Sequence, residues 1–434
     1  MELKGKRVLV IGKGISGNSS AKLIELMGGK AYFYDDMDFS PCEYTQLSYS
    51  EVIRYSKFLD FAVISPSITL DHRLVKRLRE KGISIISEPD LGSMLCRANI
   101  IAVTGTNGKT TTVEMISAML TSVGIKAPAV GNIGLPLSAV ALSLTENDIA
   151  VVEISSYQLE QSLCFKADMS GITNITVDHT ERHKTQENYV SAKLKLFNMT
   201  KGLRVAEQGV FYAQYANSFY CYGEKNQGLY CENGEIRCGY SGRDIKIMDE
   251  SQLGVKGVHN VKNALLALSL CIAHLGEYDP RFSRTLESFS SSKYRIEYMG
   301  EFCGRKVFND SKGTNISATQ AAIDVMEEDI FLIMGGYDKG ESYSGFFQNL
   351  SPKVKKIYVY GANSLRIFDG ANRSGKSYLL VAVTNPLVAL QDIFSVDGPE
   401  SVLYSPSTSS FDSFTDYNER GKYFEKLLSA FKRK

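Results

Sequence analysis

The segment Val103-Thr-Gly105-Thr-Asn-Gly108-Lys109-Thr110-Thr111 constrains the fold of this chain more than any other. It follows the β-branched run Asn99 to Thr104 and leads into Thr110 to Val123, which has helical spacing, so it is a strand-to-helix turn. Glycines there let backbone N–H groups close on phosphate oxygens, and the following helix turns the positive end of its dipole toward them. Lys109 supplies a cation between phosphates, and Thr110 a hydroxyl for magnesium. The loop is short, with Gly105 only three residues before Gly108. A purely structural turn has no need of Gly-Lys-Thr-Thr. The segment therefore reads as a triphosphate site made of Gly105, Thr106, Asn107, Gly108, Lys109, Thr110 and Thr111.

A strand, a glycine loop and a helix also open the chain. Gly12-x-Gly14-x-x-Gly17 follows Arg7 to Ile11, and Asp35 ends the next strand-like run, Lys30 to Tyr34. The arrangement resembles a dinucleotide fingerprint, with a nicotinamide dehydrogenase as one consequence and a ligand-free tight turn as the bland alternative. Further strand and helix signals at Phe61 to Ile64, Leu74 to Glu80 and Ile83 to Ile86 complete a first α/β unit over residues 1–95. A second unit, 96–293, carries the triphosphate loop, strands at Ile149 to Ile154 and Met169 to Ile175, and a helix at His259 to Leu275. From Val205 to Met248 short tyrosine-rich alternating pieces predict a β-meander attached to it. A third α/β unit spans 294–434, and 434 residues suit three cored domains. The fold class is α/β, with Rossmann-like N- and C-terminal domains around a central P-loop ATPase-type domain.

Lys+Arg 49 against Asp+Glu 48 leave a net charge of +1, so no broad field attracts nucleic acid or a membrane surface. Small molecules are the expected partners, and a cytoplasmic setting suits eight scattered cysteines with no C-x-x-C pair. The N-terminal apolar run, Val8 to Ile11, is too short for a secretory signal.

Glu153 and Asp178-His179 end strand-like runs, which places them at the ligand-binding edge of a parallel sheet. A carboxylate and an imidazole converging there suit a second divalent ion, while the alternative makes His179 a cap or a core histidine. Lys193 falls beside the buried stripe of an amphipathic stretch with Tyr189, Ala192 and Leu196. Snorkelling to solvent is the common fate of such a lysine. Buried among cations it would lose its proton readily and become a nucleophile or a site of carbamylation.

Taken together, Gly105-Thr-Asn-Gly-Lys-Thr-Thr111, Gly131-Asn-Ile-Gly134, Glu153-Ile-Ser-Ser-Tyr-Gln-Leu-Glu160, Asn174-Ile-Thr-Val-Asp-His179, His259-Asn-Val-Lys-Asn263, Tyr294-Arg-Ile-Glu297, Asn309-Asp-Ser-Lys-Gly-Thr-Asn315, Gly335-Gly-Tyr-Asp-Lys339 and the closing Ser410 to Gly421 resemble the Mur ligases over essentially the whole chain. The resemblance implies an ATP-dependent amide ligase of peptidoglycan precursor synthesis, in the branch that adds D-glutamate to UDP-N-acetylmuramoyl-L-alanine. It implies that the first glycine motif holds UDP, with Ile15, Ser16, Asp35 and Asp36 near the diphosphate and uracil, and that Asn132, Ser155 and Gln158 contact the muramoyl peptide. Lys109, Glu153, His179, Lys193 and Arg295 become the catalytic set, and Thr110, Glu153, His179 and carbamylated Lys193 the ligands of two magnesium ions, manganese being the alternative. Asn263, Arg295, Asp310 and Lys312 join the ATP loop, and Thr314, Lys339, Ser410, Phe411 and Tyr417 surround D-glutamate. The implied protein is a monomer. Ser65-Pro-Ser67 stands where the family has Gly after Pro, so a different turn is expected beside the UDP site.

Overall fold

The computed structural model describes residues 2–38, 40–176, 180–239, 244–290, 293–410 and 412–432. Its strands form three sheets. The chain divides into two compact units, one of Met1–Val177, Thr185–Gly254 and Asn260–Phe289, the other of Asp178–Lys184, Val255–His259 and Ser290–Lys434. The first unit holds two sheets and the second unit the third.

The first sheet is wholly parallel, in the order Thr45–Gln46, Lys30–Tyr34, Arg7–Ile11, Phe61–Ile64, Ile85–Ser87. Alternate residues of Arg7–Ile11 feed two cores. Val8 and Val10 join one apolar cluster with Leu23 and Ile24, and Leu9 and Ile11 another with Leu74 and Leu78, which is why the run is apolar throughout. The order in which strands are added reverses about this strand, and Gly12 to Gly17 sits at its carboxyl end, where open α/β sheets bind ligands.

In the second sheet Asn99–Thr104 lies between Ile149–Glu153 and Met169–Ile172, all parallel. The tyrosine-rich region does form short strands, and they continue this same sheet. Only Leu229–Glu232, Glu235–Cys238 and Ile245–Asp249 meander, since Arg204–Glu207, Ser218–Tyr222 and Leu229–Glu232 pair in parallel. Alternation identifies a strand, but its direction depends on the connection that precedes it. The helix Val258–Leu275 has the length and hydropathy of a membrane span and is 67% buried within the protein, as a core helix is.

The two sheets of the first unit are joined through Asp90, buried near the start of the helix Glu88–Leu95. Its carboxylate accepts Ser87 N at 2.9 Å, Leu163 N at 2.9 Å, Cys164 N at 3.2 Å and the Ser162 hydroxyl. Gln161 adds amide bonds to Ser65 O at 3.3 Å and to Ile68 O, so the unusual Ser65-Pro-Ser67 turn is tied to the central sheet.

The third sheet runs Glu297–Phe302, Arg305–Asn309, Ser401–Tyr404, Ile330–Gly335, Val354–Tyr360, Leu380–Ala382. Its first strand alone is antiparallel. Asp310, Gly336 and Ser405 therefore leave the same edge of the sheet.

Candidate active site

Gly105 and Gly108 shape the central loop. Both have positive φ, +152° and +83°. A Cβ at Gly105 would stand 1.9 Å from Thr173 Oγ1, and one at Gly108 2.3 Å from Asn263 Oδ1, so neither position admits a side chain. The loop is braced from the neighbouring strand end. Thr106 N donates to Asn174 O at 2.8 Å, Asn107 N to Asn174 Oδ1 at 3.0 Å, and Thr173 Oγ1 to Asn107 O at 2.6 Å. Thr173 and Asn174 had no assigned role in the sequence, because bracing a loop leaves no signature of its own.

Lys109 begins the helix Lys109–Ser122 and folds back, its Nζ donating to Thr106 O at 2.8 Å and Gly105 O at 3.1 Å. Thr110 turns inward and donates to Glu153 Oε2 at 2.7 Å, and Asn132 Nδ2 donates to Glu153 Oε1 at 2.8 Å. Glu153 is buried at the end of its strand. Gly131 lets Asn132 approach, since a Cβ there would meet Glu153 O at 2.3 Å. Lys193 is also buried, with Nζ donating to Gly105 O at 2.5 Å above the Tyr189 ring, whose hydroxyl lies 2.9 Å from Thr106 Oγ1. Glu153, Thr110 and Lys193 thus gather around the loop. His179 and Phe411 lie outside the described residues.

The contacts expected for the UDP substrate divide. Gly12 and Gly17 are required by packing, a Cβ at Gly17 falling 1.9 Å from Gly12 O, whereas a Cβ at Gly14 would meet nothing, so the backbone at Gly14 is open to an approaching group. Ile15 and Ser16 begin the helix after it, and Ile15 is 72% exposed. The Asp35 oxygens accept Lys13 N at 2.8 Å, Met37 N at 2.9 Å and Asp38 N at 3.0 Å. Asp36 is held by the Tyr34 hydroxyl and by His72 Nε2 at 2.5 Å. Ser155 and Gln158 bond each other as a capping box for the helix Ser156–Gln161.

In the second unit, burial pushes the Asp310 carboxyl up to about 6, against hydrogen bonds from Ser405 Oγ at 2.7 Å and Ile296 N at 3.2 Å and the positive charges of Arg295 and Arg420. Arg295 is flanked by two left-handed residues, Tyr294 at φ +63° and Ile296 at φ +48°, a strained conformation of the kind found at functional loops. His259 is kept neutral, its pKa pushed down to about 4 by burial and then by Arg295. Lys339 Nζ donates to Thr314 O at 2.8 Å, Lys312 lies 5.3 Å from the Tyr417 ring centre, and Ser410 is buried.

Residues 103–271 match the family model described as the Mur ligase middle domain. A UDP-N-acetylmuramoylalanine–D-glutamate ligase of Thermoanaerobacter sp. (strain X514) is 35% identical over 100% of both chains. Its counterpart in Caldicellulosiruptor bescii is 33% identical over 99% of this chain and 98% of its own. The chain belongs to the Mur ligase family. The fold of this Mur ligase agrees with solved structures, among them a pseudomurein peptide ligase type C from Methanothermus fervidus, with a TM-score of 0.62 at 16% identity, covering 98% of this chain and 100% of that one. A MurF ligase from Thermotoga maritima in complex with ADP has a TM-score of 0.59 at 17% identity, covering 99% of this chain and 96% of its own.

Proposed function

We infer that this Mur ligase is an ATP-dependent amide ligase that joins D-glutamate to UDP-N-acetylmuramoyl-L-alanine in peptidoglycan precursor synthesis. What carries the reading is a braced phosphate loop beside a buried carboxylate and a buried lysine, in a chain that aligns end to end with D-glutamate ligases. Residues 1–95 would bind UDP, 96–293 ATP, and 294–434 the amino acid with part of the nucleotide. The setting is the cytoplasm and the active species a monomer.

In this reading an oxygen of the substrate's terminal carboxylate attacks the γ-phosphorus of ATP and ADP departs. The D-glutamate nitrogen then attacks the acyl carbon, and phosphate leaves as the amide forms and the nitrogen gives up a proton. Lys109 would offset charge between the phosphates, and Arg295 would stabilise the transferring group. Asn263 lies against the loop glycine, while Asp310 and Lys312 hold the remainder of the nucleotide.

The Thr110 hydroxyl and the Glu153 carboxylate offer oxygen donors 2.7 Å apart in a buried setting, which fits a hard divalent cation. Bound magnesium, or manganese, would neutralise phosphate charge. Two ions need a further anionic ligand. Carbamylation of Lys193, with CO2 adding to the neutral amine and one proton released, would supply it, and His179 would complete the set. Thr314, Lys339, Ser410, Phe411 and Tyr417 hold D-glutamate.

The deciding experiment measures phosphate release with ATP, magnesium, UDP-N-acetylmuramoyl-L-alanine and a panel of amino acids. Release with D-glutamate alone is expected. Equal turnover with L-alanine, L-lysine or L-glutamate would place the chain in another branch of the family.

A further inference from the structure

Arg420 is among the most completely buried large side chains of the protein, 1% exposed, on the helix Tyr417–Leu428. Among the described residues no carboxylate pairs with it. Its Nε donates to Ser311 Oγ at 3.1 Å, Nη2 to Ser311 O at 2.8 Å, and Nη1 to Ser409 O at 3.0 Å. Nη1 also lies close to Gly336, where a Cβ would stand 3.4 Å away. The helix is fastened to the same region in return, with Ser311 Oγ donating to Tyr417 O at 2.8 Å and Asn309 Nδ2 to Gly421 O at 3.0 Å.

These contacts bridge specific loops. Ser311 stands between Asp310 and Lys312, after the strand Arg305–Asn309, and Ser409 precedes Ser410, after the strand Ser401–Tyr404. Gly336 follows the strand Ile330–Gly335 and opens the turn to Lys339. One guanidinium therefore bonds two of the segments through which the second unit would hold nucleotide and amino acid, and lies beside a third. Burying a cation without a direct ion pair is costly, even with Asp310 and Asp412 near enough to feel its charge, and an apolar residue would fill the volume at less expense in desolvation. A planar fork that donates in several directions at once is what an apolar side chain, or a lysine, cannot supply.

We propose that Arg420 is a positioning residue that holds the 310–312 and 409–410 loops in one fixed relation, so that the ATP and D-glutamate sites of this unit form or loosen together. The inference rests on the reading above for the identity of the two ligands.

Steady-state kinetics on the full chain test it. Arg420→Lys keeps the charge and loses the fork, and the KM values for ATP and for D-glutamate are expected to rise together, each by about tenfold or more. The melting temperature should stay within a few degrees of the parent. Arg420→Ala should show the same joint loss, partly restored by added guanidinium ion, a rescue that a general packing defect would not give. A folded Arg420→Lys with either KM unchanged overturns the proposal. If neither variant melts cooperatively, Ser311→Ala removes the Nε acceptor and the bond to Tyr417 O while leaving the Nη1 and Nη2 bonds in place. A joint rise of about threefold supports the coupling, and unchanged values refute it. A parent protein that prefers another amino acid refutes the D-glutamate reading instead, and the Arg420 comparison is then made with that amino acid.

Discussion

Glu88 lies in the first turn of the helix Glu88–Leu95, fully buried, with Oε1 accepting Ser138 N at 2.7 Å and Oε2 without a hydrogen-bond partner among the described residues. Burial, assisted by the negative charge of Asp90, pushes its pKa from 4.5 up to about 7. A carboxyl whose folded pKa exceeds its unfolded one favours folding fully below the unfolded value, and that contribution is lost as pH rises through the folded value. Between pH 4.5 and about 7 the parent protein should therefore lose on the order of 2–3 kcal/mol. Glu88→Gln keeps the acceptor and cannot ionise. Its melting temperature relative to the parent should rise from pH 4.5 to above 7 and then level off. A difference independent of pH would show that Glu88 does not change protonation in this range.

The helix Gln186–Asn198 illustrates how a single element can serve packing and chemistry together. Thr185 caps it, its hydroxyl accepting Asn188 N at 3.2 Å, and Tyr189, Ala192, Lys193, Leu196 and Phe197 are its buried residues. The spacing of three and four residues that buries Leu196 also turns Tyr189 and Lys193 onto the phosphate loop. Lys193→Ala should leave the melt nearly intact and reduce kcat/KM by at least about a hundredfold. If the lysine acts as a carbamate, short carboxylic acids should restore part of the rate, and labelled bicarbonate should give a carbamate resonance in the parent that the variant lacks. Full activity in the variant would refute the role.

The side chains proposed to bind ligands leave the carboxyl edges of parallel strands in all three sheets, so specificity would be assembled from distant parts of the chain. In the second unit, Lys339 meets Thr314 across two strand ends. In the proposed reading a dicarboxylate nucleophile would add an ion pair to that ammonium, and a neutral one would not. Lys339→Ala should raise the KM for D-glutamate by about tenfold or more while that for ATP changes less than about twofold. This separation is the contrast to Arg420, whose loss should move both. Equal changes in the two KM values for Lys339→Ala would mean that the lysine supports the loop and does not select the amino acid.

Local patterns were enough to locate the glycine loops, the helix after each, the strand ending in Glu153 and the tilt of Lys193 toward a buried face, because each depends on backbone freedom or on short-range periodicity. The ligase family was legible too, from motifs spread over the whole chain. Parallel pairing of the tyrosine-rich strands was not legible, since direction is set by crossovers and by partners far away in sequence. Nor was the engagement of Asp35 with three backbone amides. Asn174 and Arg420 stand within family motifs and Thr173 beside one, yet the motifs say nothing of what these three side chains brace. Their roles arise from atoms brought within about 3 Å by the closing of separate strand ends, and a linear pattern does not encode which strand ends will meet.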